Sequence, residues 1–455
     1  MTQEEIKLAL RGTLIHAPAA GDIEVLQDAL IAVDNGGRVA AVSGPGQPDY
    51  GKLEHMAREA GKLEVLSAGE YLLPGLVDTH VHAPQWPQLG KALDRPLDEW
   101  LMNYTFPLEA RYADTDFARR VYENLVHTLV ANGTTTAMYY ATIHLEASTR
   151  LAEICLEKGQ RALVGKIAMD NPDQCPDYYR DASTGQGLDD TQNFIEQVQG
   201  MPGNSHGLVL PVVTPRFIPS CTDEMLQGLG EIATRTGCHV QTHCSEGDWE
   251  HAYVLERCGK TDTLSLDGFG LLTPQTVLAH CNFIDDDDMG VIKERETGIS
   301  HCPLSNLYFS NAVFPAREAL DRELQVGLGT DIAGGANPGI LHNCEMAVTA
   351  SRAREDGVNA DLGATERGTP GARIDFREAF WMATAGGGEA LGLKVGKFLK
   401  DYAFDAIVVD TSVADTNLII WEEMDTGDDI LQKIVYNAER RNITRVWVQG
   451  EQVKN

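Results

Sequence analysis

The 455-residue sequence has little positive charge: 37 lysine and arginine residues stand against 67 aspartate and glutamate residues, and the formal net charge is -30. A surface of that charge repels phosphate backbones and anionic lipid headgroups, so binding to nucleic acid or to a membrane through a basic patch is not expected. A small-molecule partner fits this charge better. Hydrophobic residues make up 43% and charged residues 23% of the chain, which is ordinary globular usage and excludes a disordered, collagen-like or coiled-coil protein.

Long hydrophobic runs and paired cysteines are also missing. No apolar run approaches the ~18 residues that span a bilayer, and the start, Met1–Glu5, lacks the basic and then apolar pattern of a secretion signal. The nine cysteines are scattered and include no C-x2-C pair. This usage suits a reducing compartment and disfavours both a disulfide framework and a structural zinc site, so we expect a cytoplasmic protein.

The middle of the chain alternates strand-like and longer helical segments, which is typical of a parallel sheet covered by helices. Eight such units in roughly 310 residues predict a (β/α)8 TIM-like barrel, since ~250 residues are typical of that fold and insertions are common. A doubly wound open sheet is the alternative. The predicted strands are Leu76–His82, Thr134–Tyr139, Ala162–Lys166, Leu208–Thr214, His239–His243, Val277–His280, Gly298–Cys302 and Val326–Asp331.

Both ends of the chain carry short strand-like runs between glycine turns, such as Leu8–His16 near the start and Asp405–Asp410 near the end. Short strands separated by glycine turns indicate a β-rich unit. We therefore predict a small composite β-sandwich domain, formed by residues 1–72 and 395–455, beside a barrel formed by residues 73–394.

Polar residues of unusual type end several of the predicted barrel strands. His80 and His82 end the first strand, and the period of two places both imidazoles on one face, where they can share a metal. His243 ends the fifth strand, His280 the sixth and Asp331 the eighth. Active sites of TIM barrels lie at this C-terminal end of the strands. Three histidines and one carboxylate suit zinc, or iron, with an open position for water, so the pattern predicts a catalytic metal site.

Three further residues lie near the same predicted edge. Glu246 follows His243 by three residues, and beside a metal we favour an acid–base role for it over that of a helix-start acid stabilised by the helix dipole. Lys166, at the end of the third strand, is expected either to bridge two metals or to pair with a nearby acid. His301, in the seventh strand, is expected either to contact a substrate or to pack in the core.

Short motifs over most of the chain carry a family resemblance. They are Pro74–Gln85, Glu99–Leu101, Tyr104–Pro107, Gly133–Thr136, Thr214–Phe217, Ala279–His280, His301–Pro303 and Gly329–Gly335. Together they resemble the mononuclear zinc branch of the amidohydrolase superfamily and, within it, the guanine deaminase family. The H-x-H motif and the late aspartate mark only the superfamily, whereas the P-Q, E-W-L and T-P-R-F motifs are specific to the guanine deaminases.

The resemblance implies one zinc ion per chain. Its ligands would be His80, His82, His243 and Asp331, with His280 near the water on the metal rather than a permanent ligand.

The resemblance also implies a guanine pocket. In it, Gln85 and Arg216 hydrogen-bond the purine edge, while Phe217, Trp100 and Leu101 pack around the ring. An amide and a guanidinium complement the carbonyl acceptor and the ring N–H donors of guanine.

The expected reaction is hydrolysis of guanine to xanthine and ammonia in purine catabolism or salvage, with Glu246, Asp331 and His280 as catalytic residues. A homodimer is expected, as in relatives and as the commonest oligomer. The alternatives are an aminohydrolase of the same fold acting on a pterin, 8-oxoguanine or a triazine, and a non-catalytic scaffold, which is expected to have lost metal ligands. The segment Tyr308–Ala312 departs from the family pattern, in which Ser-Gly is common, and so does Cys244, at a position that is usually aliphatic.

Overall fold

The computed structural model describes residues 3–310 and 312–454. Met1 and Thr2 of the amino-terminal segment, Asn311 of the departing segment and Asn455 lie outside the described residues. The strands are β1 (Ile6–Ala19), β2 (Asp22–Asp34), β3 (Val39–Ser43), β4 (Leu63–Val65), β5 (Glu70–Pro74), β6 (Leu76–His82), β7 (Thr134–Tyr140), β8 (Arg161–Ala168), β9 (Val209–Pro215), β10 (His239–Cys244), β11 (Thr276–His280), β12 (Gly298–His301), β13 (Gln325–Leu328), β14 (Ala406–Asp410), β15 (Ile443–Val448) and β16 (Glu451–Lys454).

Helices fill most of the intervals between these strands. They are α1 (Tyr50–Glu59), α2 (Leu97–Trp100), α3 (Phe106–Glu109), α4 (Thr115–Ala131), α5 (Leu145–Lys158), α6 (Thr184–Gln199), α7 (Asp223–Thr236), α8 (Asp248–Cys258), α9 (Asp262–Gly268), α10 (Asp286–Glu294), α11 (Pro303–Phe309), α12 (Ala316–Asp321), α13 (Ile340–Asp356), α14 (Phe376–Met382), α15 (Ala385–Ala390) and α16 (Gly427–Asn437). Within residues 3–310 and 312–454, none of these helices has both the length and the apolar character needed to cross a bilayer.

The strands from β6 to β13 form one parallel sheet in chain order, each strand paired with the next. A doubly wound sheet reverses its strand order partway, so this order confirms the predicted barrel. Every residue of β6, β7 and β10 is buried, because helices cover the outer face and facing strands fill the interior.

The barrel closes between its first and last strands at residues predicted for the metal site. The Asp331 N–H donates to the carbonyl of His80 at 2.9 Å, and the His82 N–H donates to the carbonyl of Ile332 at 2.8 Å. The prediction that Asp331 ends the eighth strand is wrong, because β13 stops at Leu328 and Asp331 follows in the left-handed region, with φ of 48°. The turn after β13 therefore brings the aspartate beside both histidines.

Both ends of the chain build a second sheet with the strand order β16-β15-β14-β5-β1-β2-β3, and β4 pairs with β1. The sheet is mixed, because β5 runs antiparallel to β14 and parallel to β1. This confirms the composite β-domain. Its core includes Leu10, Leu14, Phe404 and Trp447, contributed by both ends of the chain.

Candidate active site

Four side chains from three separate parts of the barrel meet at its C-terminal end. The Nε2 atom of His82 lies 3.0 Å from Nε2 of His243. The Oδ1 atom of Asp331 lies 3.2 Å from Nε2 of His80 and 3.6 Å from Nε2 of His82. All four side chains are buried. We call His80, His82, His243 and Asp331 the histidine–aspartate cluster.

The nitrogen atoms of this cluster are prepared to bind a cation. Nδ1 of His243 donates to the backbone carbonyl of Arg216 at 2.6 Å, which leaves the lone pair on Nε2. Among the described residues, the Nε2 atom of His80 is buried and has no hydrogen-bond partner. Burial lowers the pKa of His80, His82 and His243 well below the usual value and keeps the rings neutral. Neutral imidazoles converging on one carboxylate fit a zinc ion.

A buried carboxylate beneath the cluster fixes the turn that carries Asp331. Asp78 accepts the Thr330 N–H at 2.9 Å with one oxygen and the Thr330 hydroxyl at 2.6 Å with the other. Asp78 precedes His80 by two residues on β6, so it shares the inward face of the strand. Burial raises the pKa of Asp78 to about 7. The first and last strands of the barrel are thus tied together next to the cluster.

Glu246 and His280 approach the cluster from the ends of β10 and β11. Nε2 of His280 lies 3.7 Å from Oε2 of Glu246 and 4.0 Å from Oδ2 of Asp331. Burial, together with the charge of Asp331, raises the pKa of Glu246 to about 8. A carboxyl group with a pKa near neutrality can take up and release a proton at physiological pH.

Three hydrogen bonds hold the backbone that carries Glu246. The Asn306 amide N–H donates to Oδ1 of Asn282 at 2.8 Å, and the Asn282 amide N–H donates to the Glu246 carbonyl at 2.8 Å. The Glu246 N–H donates to Oε2 of Glu250 at 2.7 Å. The backbone at Glu246 is therefore held in place from α8 and from the loop after β11.

A cavity opens onto the histidine–aspartate cluster, and all five residues predicted to contact substrate line it. Its empty space, including the part open to solvent, is about 430 Å³. Phe309 also lines it, from the segment that departs from the family pattern, and its ring lies 5.2 Å from that of Trp100. The aromatic walls suit a flat ring. The lining residues are His82, Gln85, Leu97, Trp100, Leu101, Arg216, Phe217, His243, Glu246, Phe309, Asp331 and Gly334.

Glu109 is a buried polar residue behind this cavity that the sequence analysis missed. Arg216 donates to both of its oxygens, at 2.6 Å and 3.2 Å, and Nε2 of Gln85 donates to Oε1 at 3.0 Å. Glu109 ends α3, just after a π-helix at Leu101–Thr105, so no regular period marks its inward direction. The only sequence signal was the motif Tyr104–Pro107, which ends two residues earlier.

Lys166 and His301 are both buried and do not line the cavity. Lys166 donates to Asp181 at 2.8 Å, so the expectation of an acid partner is correct. The His301 ring lies 4.9 Å from the Phe314 ring, and burial, with a smaller effect from His280, lowers its pKa to about 3. His301 therefore packs as a neutral ring.

Comparisons with known proteins agree with this arrangement. A model of the Amidohydrolase family matches residues 71–453. The chain is 38% identical over 448 residues to a probable guanine deaminase of Schizosaccharomyces pombe, covering 97% of this chain and 82% of that protein. It is 36% identical over 450 residues to the guanine deaminase of Homo sapiens, covering 97% and 96%.

A solved structure is similar over nearly the whole chain. The crystal structure of guanine deaminase from C. acetobutylicum, with guanine bound in its active site, matches with a TM-score of 0.86 at 30% identity. The match covers 98% of this chain and 99% of that one.

Proposed function

The chain belongs to the amidohydrolase family, and from this premise we propose that it hydrolyses guanine to xanthine and ammonia. The observation that carries the proposal is a single cavity with two parts. Glu246 and three members of the histidine–aspartate cluster, His82, His243 and Asp331, line it, and so do Gln85 and Arg216, which supply hydrogen bonds for a flat ring. Such an apolar pocket with a few convergent polar groups is typical of small-molecule sites.

We assign one zinc ion per chain to the histidine–aspartate cluster. The neutral rings, the unpartnered Nε2 of His80 and the convergence on Asp331 support this assignment. When bound, zinc supplies a Lewis acid that lowers the pKa of water from about 15.7 to about 7.

We assign the part of the cavity lined by Gln85 and Arg216 to the purine ring. Its amino-bearing carbon faces Glu246, and its carbonyl edge faces Gln85 and Arg216, whose N–H groups complement acceptor atoms. Phe217 and Trp100 pack against the ring faces together with Leu101. The Trp100 N–H donates to the Lys91 carbonyl at 3.1 Å, so the indole offers the pocket only apolar contact.

Three side chains move protons in this proposal. Glu246 takes a proton from the attacking water and gives it to the ring nitrogen beside the amino-bearing carbon, which makes that carbon electrophilic. Asp331 accepts the second proton and returns it to the departing ammonia. His280, when protonated on Nε2, donates to the oxygen on which negative charge develops. Water and guanine thus give xanthine and ammonia.

The test is an assay of purified protein prepared without chelator. We expect the ultraviolet absorbance of guanine to fall with release of equal amounts of ammonia and xanthine. A pterin, 8-oxoguanine and a triazine are assayed in parallel. Zinc-loaded protein that turns over one of these rings but leaves guanine unchanged contradicts the proposal and selects the corresponding alternative.

We further propose a homodimer that acts in the cytoplasm, in purine catabolism or salvage. The family resemblance and the general prevalence of two-fold dimers support the assembly. Light scattering on the eluting protein should give twice the chain mass of 49.6 kDa. A mass equal to one chain at micromolar concentration contradicts the dimer.

A further inference from the structure

A buried carboxylate joins the two polar side chains that we assign to the purine edge. Glu109, Arg216 and Gln85 are exposed by 0%, 2% and 2%, respectively. Arg216 makes a two-bond ion pair with Glu109, and Gln85 donates to the same carboxylate. We call these residues the Gln85–Glu109–Arg216 triad. Glu109 is not among the residues that line the cavity, so it acts through its two partners.

We propose that Glu109 is a positioning residue that makes the site selective for a 2-aminopurine ring with a carbonyl group, rather than an amino group, at position 6. The inference rests on the proposed function. Glu109 exerts this effect by fixing the N–H groups of Arg216 and Gln85 and by neutralising the guanidinium.

Glu109 sets the net charge beside the purine edge. A buried guanidinium without a partner favours an anionic ligand, because desolvation leaves its charge uncompensated. Burial opposes the charge of Arg216, but Glu109 outweighs that effect and the pKa of Arg216 is raised. The ion pair is therefore neutral overall and suits a neutral heterocycle. Removing the negative partner turns the same pocket into a cation site.

Glu109 also fixes the direction of the Gln85 amide. Nε2 of Gln85 donates to Glu109, and Oε1 of Gln85 accepts the Ala333 N–H at 3.1 Å. Both contacts oppose a flip of the amide, because a flip places N–H against N–H at Ala333 and oxygen against oxygen at Glu109. One N–H of Gln85 thus stays directed away from Glu109.

Glu109 and Phe106 fix the direction of the Arg216 guanidinium. Glu109 holds two of its five N–H groups, and the ring of Phe106 lies 4.9 Å from its central carbon. The remaining N–H groups are fixed and can only donate. A purine carbonyl accepts hydrogen bonds from these N–H groups. An amino group at the same position cannot, so buried donors stay unpaired, and such unpaired polar groups reject a substrate most strongly.

The experiment compares guanine with 2,6-diaminopurine, in which an amino group replaces the carbonyl. Ammonia release gives kcat/KM for each ring. Where release from 2,6-diaminopurine is too slow to measure, its inhibition constant against guanine turnover is measured instead. The variant is Glu109→Gln, which keeps the size of the side chain but turns one acceptor into a donor that neither Arg216 nor Gln85 can satisfy. We expect kcat/KM for guanine to fall about 100-fold, mainly through KM, with the diaminopurine value changed less than about threefold.

Two further variants accompany the test. Asp181→Asn removes a different buried acid, which forms an ion pair with Lys166 and does not line the cavity. It should lower thermal stability without changing the ratio of kcat/KM for guanine to that for diaminopurine. Glu109→Asp keeps the negative charge but is too short to reach both partners. We expect it to fold even if Glu109→Gln does not, and to lose part of the selectivity.

The outcomes separate this inference from the proposed function. Equal losses on both rings in Glu109→Gln, or wild-type selectivity in a folded Glu109→Asp protein, overturn the role of Glu109. Both results presuppose that the wild-type protein deaminates guanine. A zinc-loaded wild-type protein that does not act on guanine overturns the proposed function itself. Zinc content per chain should be the same in all variants.

Discussion

The Nδ1 atom of His280 lies 2.9 Å from Oδ1 of Asn306, so the ring N–H is donated to the amide and the lone pair of His280 is on Nε2. The amide cannot be flipped without loss, because its own N–H donates to Asn282 at 2.8 Å. Nε2 faces the carboxylates of Glu246 and Asp331. Asn306 therefore determines which nitrogen of His280 can take up a proton in the active site.

Asn306→Leu should lower kcat about 10- to 100-fold, because an imidazole that loses its orienting partner can present the wrong tautomer to the substrate. Zinc content should stay unchanged, since Asn306 is not one of the four assigned ligands. The matched control is Asn343→Leu, which removes a buried amide on α13 that makes no hydrogen bond within the described residues. Equal kcat values for the two variants contradict the orienting role.

Glu246→Gln should lower turnover by ~10²-fold or more, because the amide cannot carry a proton from water to the ring nitrogen. Zinc content is expected to stay at the wild-type level, since Glu246 is not an assigned ligand. The control is Glu224→Gln on α7, an exposed acid, which should leave turnover within about twofold. Retention of wild-type turnover by the Glu246→Gln protein excludes the assigned role.

Removal of zinc with a chelator should abolish turnover and lower the unfolding temperature, because a ligand that binds only the folded state stabilises it. Returning zinc should restore both at one ion per chain. Cys302→Ala is an informative control, because Cys302 forms a second metal-capable group with His80 and His280. We expect this variant to bind zinc normally, whereas Asp331→Asn binds it more weakly. Weaker zinc binding by Cys302→Ala, together with normal binding by Asp331→Asn, assigns the metal to the group that contains Cys302.

His301 should make the folded protein sensitive to acid. Its pKa is about 3 in the folded protein, mainly through burial, against about 6.5 in the unfolded chain. Between these values only the unfolded chain binds the proton, so stability is lost as pH falls below 6.5. From pH 6.5 to about 4.5 this loss amounts to about 2 kcal/mol.

Urea unfolding of the metal-free protein at both pH values measures the effect. His301→Gln, which stays uncharged, should lose about 2 kcal/mol less than the wild type over the same interval. The change with pH is compared within each protein, so the packing cost of the substitution cancels. Parallel pH dependence in the two proteins refutes the assignment of a neutral buried ring.

The sequence was most informative where candidate functional side chains lie at or near the ends of regular strands. His80, His82, His243 and His280 each stand at the end of a buried parallel strand, and parallel strands place their ends at one edge. The period of a strand therefore predicted their convergence without any knowledge of distances. The structure brings all four imidazoles to that edge.

The sequence was least informative where the backbone is irregular or the partner is distant. Glu109 follows a π-helical turn, and its partner Arg216 lies 107 positions away. The pairing of Lys166 with Asp181 depends on a loop path that has no period. Asp331 was predicted at the edge where the structure places it but was assigned to a strand that ends earlier, because the left-handed turn that carries it has no strong sequence signal.

Incubation of the zinc-loaded protein with guanine in oxygen-18 water tests the central claim most directly. Hydrolysis predicts xanthine with one oxygen-18 atom, located at the carbon that lost the amino group, and one ammonia for each xanthine formed. Xanthine without the label, or no xanthine from protein shown to hold zinc, contradicts the account.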